Sequence, residues 1–440
     1  MSGRGVPGPD DLGHPVQPGH AVRPGRPGLP DPLGRTGVTD LADLADADRE
    51  LAALLALSAV EGIGSRTVLA CHRGGGAIPA WRALQRDAID AHPALSSTVG
   101  VRARARAVAS ARDIDPAAEF ARCRDAGVRV LVEGRPGYPE RLLDDPAPPA
   151  VLFATGPVPG PARPTVAIVG TRNATGLGRS FARRLGEELT EVGVSVVSGL
   201  ALGIDGAAHR GAVDVHDRSG DVARPRPAPP IGVVAAGLDL AYPARHERLH
   251  REVASAGVLL SETPIGRRPA AWRFPARNRI IAGLSDAVVV VESRATGGSL
   301  ITVDEANRRG VTVLAVPGHP AAPSAVGTNA LLFDGASVVR DADDVLGALG
   351  LPTRSEPADG REGARPPRAD TSEQPSDTCE QRIVDRLVTG PLSLGELVAA
   401  SGRSVDDVAA ALTALEVGGR VAATGGWFEL VAGPGRGPRR

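Results

Sequence analysis

The sequence predicts an α/β protein with a doubly wound, mostly parallel sheet, a helical region before it and a winged-helix pattern after it. Two observations carry this. From Pro164 to about residue 340, apolar runs such as TVAIVG, VSVVSG, IGVVAAG and AVVVVES alternate with amphipathic stretches such as GRSFARRLGEELTEVG and SLITVDEANRRG. Strands that are apolar throughout, separated by helices, mean a parallel sheet covered on both faces. The flanking regions show helical periodicity instead.

Residues 1–44 are rich in Gly, Pro, Arg and Asp, with too few large apolar side chains to offset the entropy of ordering, and are expected to be disordered. Residues 45–112 read as a helical domain, through LAALLALSAV, EGIGSRTVLACH and WRALQRDAI. The Gly62-Ile63-Gly64 turn between two of these helices resembles a helix-hairpin-helix, whose amides can contact a phosphate. A plain tight turn in a small bundle is preferred, because one hairpin without basic support binds weakly. Residues 113–345 form the sheet domain with its connecting segment. That segment reads as a helix AAEFARCRDAG, a strand VRVLV, and a loop from Arg135 to Gly156.

Residues 214–230, DVHDRSGDVARPRPAPP, break the strand–helix rhythm and are expected to be an exposed inserted loop. Residues 346–376 read as a polar, Pro-rich linker. Over 377–433, helices CEQRIVDRLVTG, SLGELVAASG and SVDDVAAALTALEVGG precede a hairpin RVAATGGWFELV, a winged-helix pattern with Ser393 and Ser404 as N-caps. The tail, 434–440, is expected to be loose.

A chain of 440 residues has room for two or three domains. Its net charge of −1 does not advertise a polyanion partner, so any nucleic-acid site must be local. All 50 basic residues are arginine, so a single arginine means little and only clusters without acids count. Cys71, Cys123 and Cys379 lie far apart, with no disulfide or zinc spacing. No leader-like or membrane-spanning apolar run appears, and a cytoplasmic location is expected.

Four segments carry candidate chemistry. In Val169–Gly178, between strand and helix, Gly170, Thr171, Gly176 and Gly178 let backbone approach a phosphate at a helix N-terminus, and Arg172 adds charge. The spacing is not GxGxxG and no ribose-binding acid follows, so no dinucleotide cofactor is expected. In Ser198–Asp205, Ser198, Gly199, Gly203 and Asp205 occupy another strand end, with His209 one turn later. An Asp-His dyad lacks a suitably spaced nucleophile, so a capping Asp and a hydrogen-bonded His is the preferred reading.

The third segment is Trp272–Thr302. Between Glu262 and Asp286 stand Arg267, Arg268, Arg273, Arg277 and Arg279, with no acid. Guanidinium forks grip phosphate oxygens, and Phe274 offers a face for an unpaired base. Arg277 and Arg279 are expected at a helix start, where the dipole disfavours them, a conflict typical of functional sites. The fourth is Ser293–Ser299, a second phosphate cradle with Gly297, Gly298 and Ser299. All four are expected at the carboxyl edge of one sheet. His246-Glu247-Arg248-Leu249-His250 matches HExxH, but the surrounding arginines oppose a divalent ion and no third ligand is evident, so no metal is expected.

IVGTRNATGLG, SGLALGIDGAAH, GLDLAYP, SETPIG, FPARNRIIAGLS, ESRATGGSLIT and AVPG with GTNALLFDGA, in this order over about 115–340, resemble the DNA-processing protein A (Smf) family. The resemblance implies an extended Rossmann-like fold, a sterile-alpha-motif-like helical domain and a C-terminal winged helix. It implies a single-stranded DNA-binding recombination mediator, usually dimeric, that protects incoming DNA and loads the RecA recombinase in natural transformation, with no catalysis. Carried over by motif, Arg172, Phe274, Arg277, Asn278 and Arg279 would line the DNA pocket, and Ser198, Gly199, Gly203 and Asp205 would shape it. The alternative is a Rossmann-like enzyme of the nucleotide phosphoribohydrolase type, with Glu292, Asp304 or Glu305 as the carboxylate beside the Gly297-Gly298 loop.

Overall fold

The computed structural model describes residues 44–158, 160, 163–218, 227–353, 379–387, 391–424 and 426–431. The segment expected to be disordered over 1–44, apart from Leu44, lies outside them. So do the tail over 434–440 and most of the linker expected over 346–376.

Helices α1 (Asp46–Ala59), α2 (Ser65–Arg73), α3 (Ala77–Gln85), α4 (Pro93–Thr98), α5 (Val101–Arg112) and α6 (Pro116–Asp125) form the N-terminal region. Leu57, Trp81, Leu84 and Leu95 are fully buried at its centre. This core does not stop at residue 112. It continues into Val132, Val151 and Phe153 of strands β1 (Arg129–Val132) and β2 (Val151–Thr155), and reaches Ile265. The helical region therefore packs directly on one end of the sheet.

β2 corrects the loop expected from Arg135 to Gly156. VLFAT is a short apolar run behind two prolines, and its ladder partners are β1 and the distant strand that ends at Ser261. No local pattern announces pairing across more than a hundred residues.

The sheet continues through β3 (Thr165–Val169), α7 (Gly176–Glu191), β4 (Ser195–Ser198), α8 (Ile204–Arg218), β5 (Ile231–Val234), α9 (Glu247–Ala256), β6 (Val258–Ser261), α10 (Arg273–Gly283), β7 (Ala287–Val290), α11 (Gly298–Arg308), β8 (Thr312–Ala315), α12 (Val326–Phe333), β9 (Ser337–Val338) and α13 (Ala342–Ala348). The strand order is β1-β2-β6-β5-β4-β3-β7-β8-β9, parallel from β6 to β9. The fold is Rossmann-like, with antiparallel β1 and β2 added at one edge. On β3, Val166 and Ile168 join Leu185 and Leu189 of α7, while Ala167 and Val169 join Ile280, Ile281 and Val303 of α10 and α11. Both faces are covered, as the unbroken apolar strands predict.

From β3 the chain runs outward through β4, β5 and β6, then returns through α10 to β7 on the other side of β3. The order of winding reverses between β3 and β7, and such a reversal opens a crevice at the strands' carboxyl ends.

Two segments expected as loop and linker are helical at their starts, and their remaining parts over 219–226 and 354–376 lie outside the described residues. α8 runs to Arg218 and buries Val213 and Val215, so 214–218 is helix rather than insertion. α13 reaches Ala348, and Leu346, Leu349 and Leu351 pack against the α7 face, so 346–351 belongs to the sheet domain rather than to a linker. In both cases a few apolar residues at the segment's start continue the preceding helix.

The C-terminal part comprises α14 (Cys379–Leu387), β10 (Leu392–Ser393), α15 (Leu394–Ser401), α16 (Val405–Val417), β11 (Val421–Thr424) and β12 (Trp427–Leu430), with strand order β10-β12-β11. Ile383, Leu397, Val408, Leu412 and Leu415 form its own core. Ser393 makes a capping box with Glu396, and the Ser404 hydroxyl accepts from the Asp407 amide. Among the described residues, no helix is long and apolar enough to cross a membrane.

Candidate nucleic-acid interface

The loops after β3, β4 and β7 meet at the crevice, and α10 crosses in front of it. A cleft of about 380 Å³ there is lined by Gly170, Thr171, Arg172, Asp205, Phe274, Arg277, Asn278, Gly297, Gly298 and Ser299, all anticipated from sequence. Arg294 and Thr296 join them. α10 starts at Arg273, earlier than expected, because Pro275 is tolerated in a first turn. Arg277 and Arg279 therefore sit in its second turn, and Arg273 is the residue opposed to the helix dipole.

The exposed Arg172 guanidinium carbon lies 4.8 Å from the centroid of the Phe274 ring. Tyr242 packs on Phe274 as well, centroids 5.7 Å apart and tilted by 49°. Arg172 and Phe274 line both the main cleft and a smaller apolar cavity, to which Leu202, Val234, Ala235 and Tyr242 contribute the other walls. This geometry, an aromatic face beside exposed guanidinium, suits a ligand with both rings and negative charge.

Arg277 is the floor. It is only 7% exposed, and its Nη1 donates to the Val233 carbonyl. Buried Asp205 accepts from the Gly199 amide at 3.1 Å. Burial pushes the Arg277 guanidinium down to about 10, with Asp205 opposing the shift and Arg172 adding to it. Burial pushes the Asp205 carboxyl up, against the pull of Arg277. A Cβ on Gly199 would collide with Arg277 Nη1, so only glycine leaves this guanidinium its place. Gly203, at φ +82°, brings the β4 loop against Thr171, where a Cβ would collide with the Thr171 carbonyl oxygen.

Several anticipated residues stand elsewhere. The Ser198 hydroxyl is buried and donates to the Ile168 carbonyl at 2.6 Å, tying β4 to β3. Gly176 and Gly178 open α7, but the anion at that helix start belongs to the protein. The Glu292 carboxylate accepts from the Thr175 amide at 2.9 Å and the Thr175 hydroxyl at 2.6 Å, and fills the space a Gly178 side chain would need. Arg279 does not join the cleft. Its guanidinium, with the side chain 12% exposed, pairs with Glu262 at 2.5 Å and donates to the Ala147 carbonyl and the Ser65 hydroxyl. It clamps the helical region and connecting segment to the sheet.

The structure agrees with one of the two histidine readings and revises the other. His209 Nε2 donates to the Ile231 carbonyl at 3.2 Å, the preferred hydrogen-bonded state. In the HExxH segment, His250 is buried rather than turned to solvent, its Nε2 donating to the Tyr242 carbonyl, while His246 Nδ1 donates to the Leu200 carbonyl. Among the described residues, no group of three His, Cys, Asp or Glu could hold a metal ion. Tyr242 and Arg294 are the residues that sequence reasoning left out. Both stand in quoted strand-end motifs, GLDLAYP and ESRATGG, and an aromatic or an arginine at such a position was the available signal.

Fold and site together define a Rossmann-like protein with an arginine- and aromatic-lined crevice at its switch point, with a winged helix beyond. Residues 129–350 match the model of the family "DNA recombination-mediator protein A", and 366–426 match the DprA winged helix domain. Protein Smf of Synechocystis sp. is 32% identical over 329 residues, covering 67% of this chain and 77% of that protein. DNA processing protein DprA of Bacillus subtilis is 37% identical over 227 residues, covering 51% and 73%. A crystal structure of DNA processing protein A from Streptococcus pneumoniae superposes with a TM-score of 0.53 at 28% identity, covering 67% of this chain and 95% of that one. The chain belongs to the DNA recombination-mediator protein A family.

Proposed function

We propose that this protein binds single-stranded DNA in the switch-point cleft, protects it, and delivers it to the RecA recombinase as a homodimer. The observation that carries the reading is Arg172 beside Phe274 at the mouth of the cleft. Unpaired bases expose π-faces that a Phe ring accepts, whereas a duplex keeps its bases stacked. Arg172 and Arg294 are exposed and available to phosphates, and the first-turn amides of α11 at Gly298 and Ser299 add positive potential. Family membership supports the recombination role and the hand-over.

The base-releasing enzyme reading finds less support. Glu292 is committed to Thr175, Glu305 to Arg308 and Arg309, and neither they nor Asp304 line the cleft.

Mobility shifts with single- and double-stranded oligonucleotides across salt concentrations test the proposal. Single strands should bind more tightly. Arg172→Ala and Arg294→Ala should each weaken binding and flatten the slope of log K against log salt by about 0.7 for every phosphate no longer neutralised. Unchanged affinity and slope in the folded double variant would sink the assignment. Arg277 and Arg279 are unsuitable for this test, because each holds a distant backbone carbonyl in place.

A further inference from the structure

A second groove lies on the other side of the first turn of α10. Its near wall is Trp272, Arg273 and Arg277, and its far wall is Ile63, Gly64 and Ser65 from the α1–α2 turn. Arg277 lines both this groove and the switch-point cleft, so the two are neighbours across one helix.

Trp272 is 65% exposed, an unusual state for the largest apolar side chain. Arg273 lies over its ring, 5.0 Å from the centroid. Arg273 is also close enough to Arg267 for the two charges to oppose each other, and burial together with Arg267 holds its guanidinium below the ordinary value. Arg267 donates to the Ala59 carbonyl at the end of α1, so it carries positive charge onto the helical region itself. Among the described residues lining the groove, Glu262 alone has a carboxyl group, and Arg279 neutralises it. The α1–α2 turn thus gains here the basic support that its own sequence lacks. Helix α10 has one aromatic on each side, Phe274 toward the cleft and Trp272 toward the groove.

We propose that the bound single strand continues from the cleft over the first turn of α10 into this groove, stacking a further base on Trp272 and setting a phosphate against Arg273. The proposal rests on the single-strand reading of the cleft. The adjacency of the two cavities, which share Arg277, and an Arg273 that finds no free carboxylate among the groove's lining residues favour a polyanion carrying π-faces over an apolar peptide. The helical region thereby becomes part of the DNA-binding surface.

Tryptophan fluorescence tests this directly. Trp81 is buried, and Trp427 belongs to the winged helix, so Trp427→Phe leaves Trp272 as the exposed tryptophan. In that background, an oligothymidylate of about 16 nucleotides should quench emission, and one of about 4 nucleotides should bind without quenching. Trp272→Ala should weaken the long oligonucleotide about tenfold, the loss of one stacked base, and leave the short one unchanged. Its exposure means the variant should keep the thermal midpoint of the parent. If Arg172→Ala weakens both oligonucleotides while Trp272→Ala weakens neither and no quench is seen, the extended path is wrong and the cleft stands. If Arg172→Ala and Phe274→Ala weaken nothing, the cleft reading falls and the extension falls with it.

Discussion

Phe274 presents its ring to two neighbours, with the Arg172 guanidinium 4.8 Å away and Tyr242 at 5.7 Å. A base that stacks there must replace one of these neighbours, and displacing Arg172 would free its guanidinium for the adjoining phosphate. Phe274→Leu should therefore cost about 1–3 kcal/mol of single-strand affinity while leaving the salt slope intact. Fluorescence anisotropy at several salt concentrations separates the two effects; a flattened slope in Phe274→Leu would mean that the ring acts only through Arg172. His209 gives a pH dependence whose direction follows from burial. The imidazole is fully buried, and desolvation pushes it down to about 3, against about 6.5 in the unfolded chain. Between those values the unfolded chain holds the extra proton, so stability is complete above about pH 6.5 and declines as pH falls toward 3. His209→Gln, which can still donate to the Ile231 carbonyl, should shrink the stability lost between pH 7 and pH 5 by about 2 kcal/mol in urea denaturation. An undiminished loss would show that His209 is not held neutral.

The start of α7 illustrates how an element can look like a site and be a joint. Its glycines and free amides suit an anion, and the Glu292 carboxylate from the loop after β7 is that anion. The bond ties the loops on either side of the crevice together, Thr171 to Glu292 through the backbone at 2.8 Å and Thr175 through the side chain. Glu292→Ala should lower stability by about 1–2 kcal/mol, less than a buried charged hydrogen bond because the site is solvent-accessible, with Glu292→Gln between. Chemical denaturation measures it; no loss in Glu292→Ala would mean the carboxylate is an ornament of the loop. The strand-end loops were legible in the sequence because apolar runs mark strands and Gly-rich segments mark their exits. What each loop touches was not. Arg279 and Glu262 are 17 residues apart, yet the same Arg279 reaches Ser65 from the helical region. Glu292 reaches back 117 residues to Thr175. Local pattern sees a residue's own element, and these roles are set by the strand order, which brings β7 beside β3. The helix α16 is a simpler case. Its first turn carries Asp406 and Asp407, which complement the helix dipole and oppose a phosphate backbone, in the sequence as in the structure.

At the scale of the whole molecule, the two ends of the large sheet are treated differently. The β1 end is covered by the helical region through a shared core. At the other end stands β9, two residues long, with no strand beyond it among the described residues. Beside it, Phe333 at the end of α12 is 92% exposed and Val338 of β9 is half exposed. A lone exposed aliphatic residue is ordinary, but a nearly bare Phe next to a free sheet edge is a liability that soluble proteins rarely leave uncovered. A second copy related by a two-fold axis would cover both with the same patch, as the proposed homodimer requires. Phe333→Arg should then shift the protein from dimer to monomer in sedimentation equilibrium at micromolar concentration, with the thermal midpoint of the isolated fold unchanged. The cleft lies at the carboxyl ends of the strands, away from this edge, so the monomer should keep its affinity for a short oligonucleotide. It should lose affinity for one long enough to reach both clefts of a dimer, because the second binding event is then no longer intramolecular. A wild-type protein that sediments as a monomer, or a Phe333→Arg variant that remains dimeric, would remove this edge as the interface.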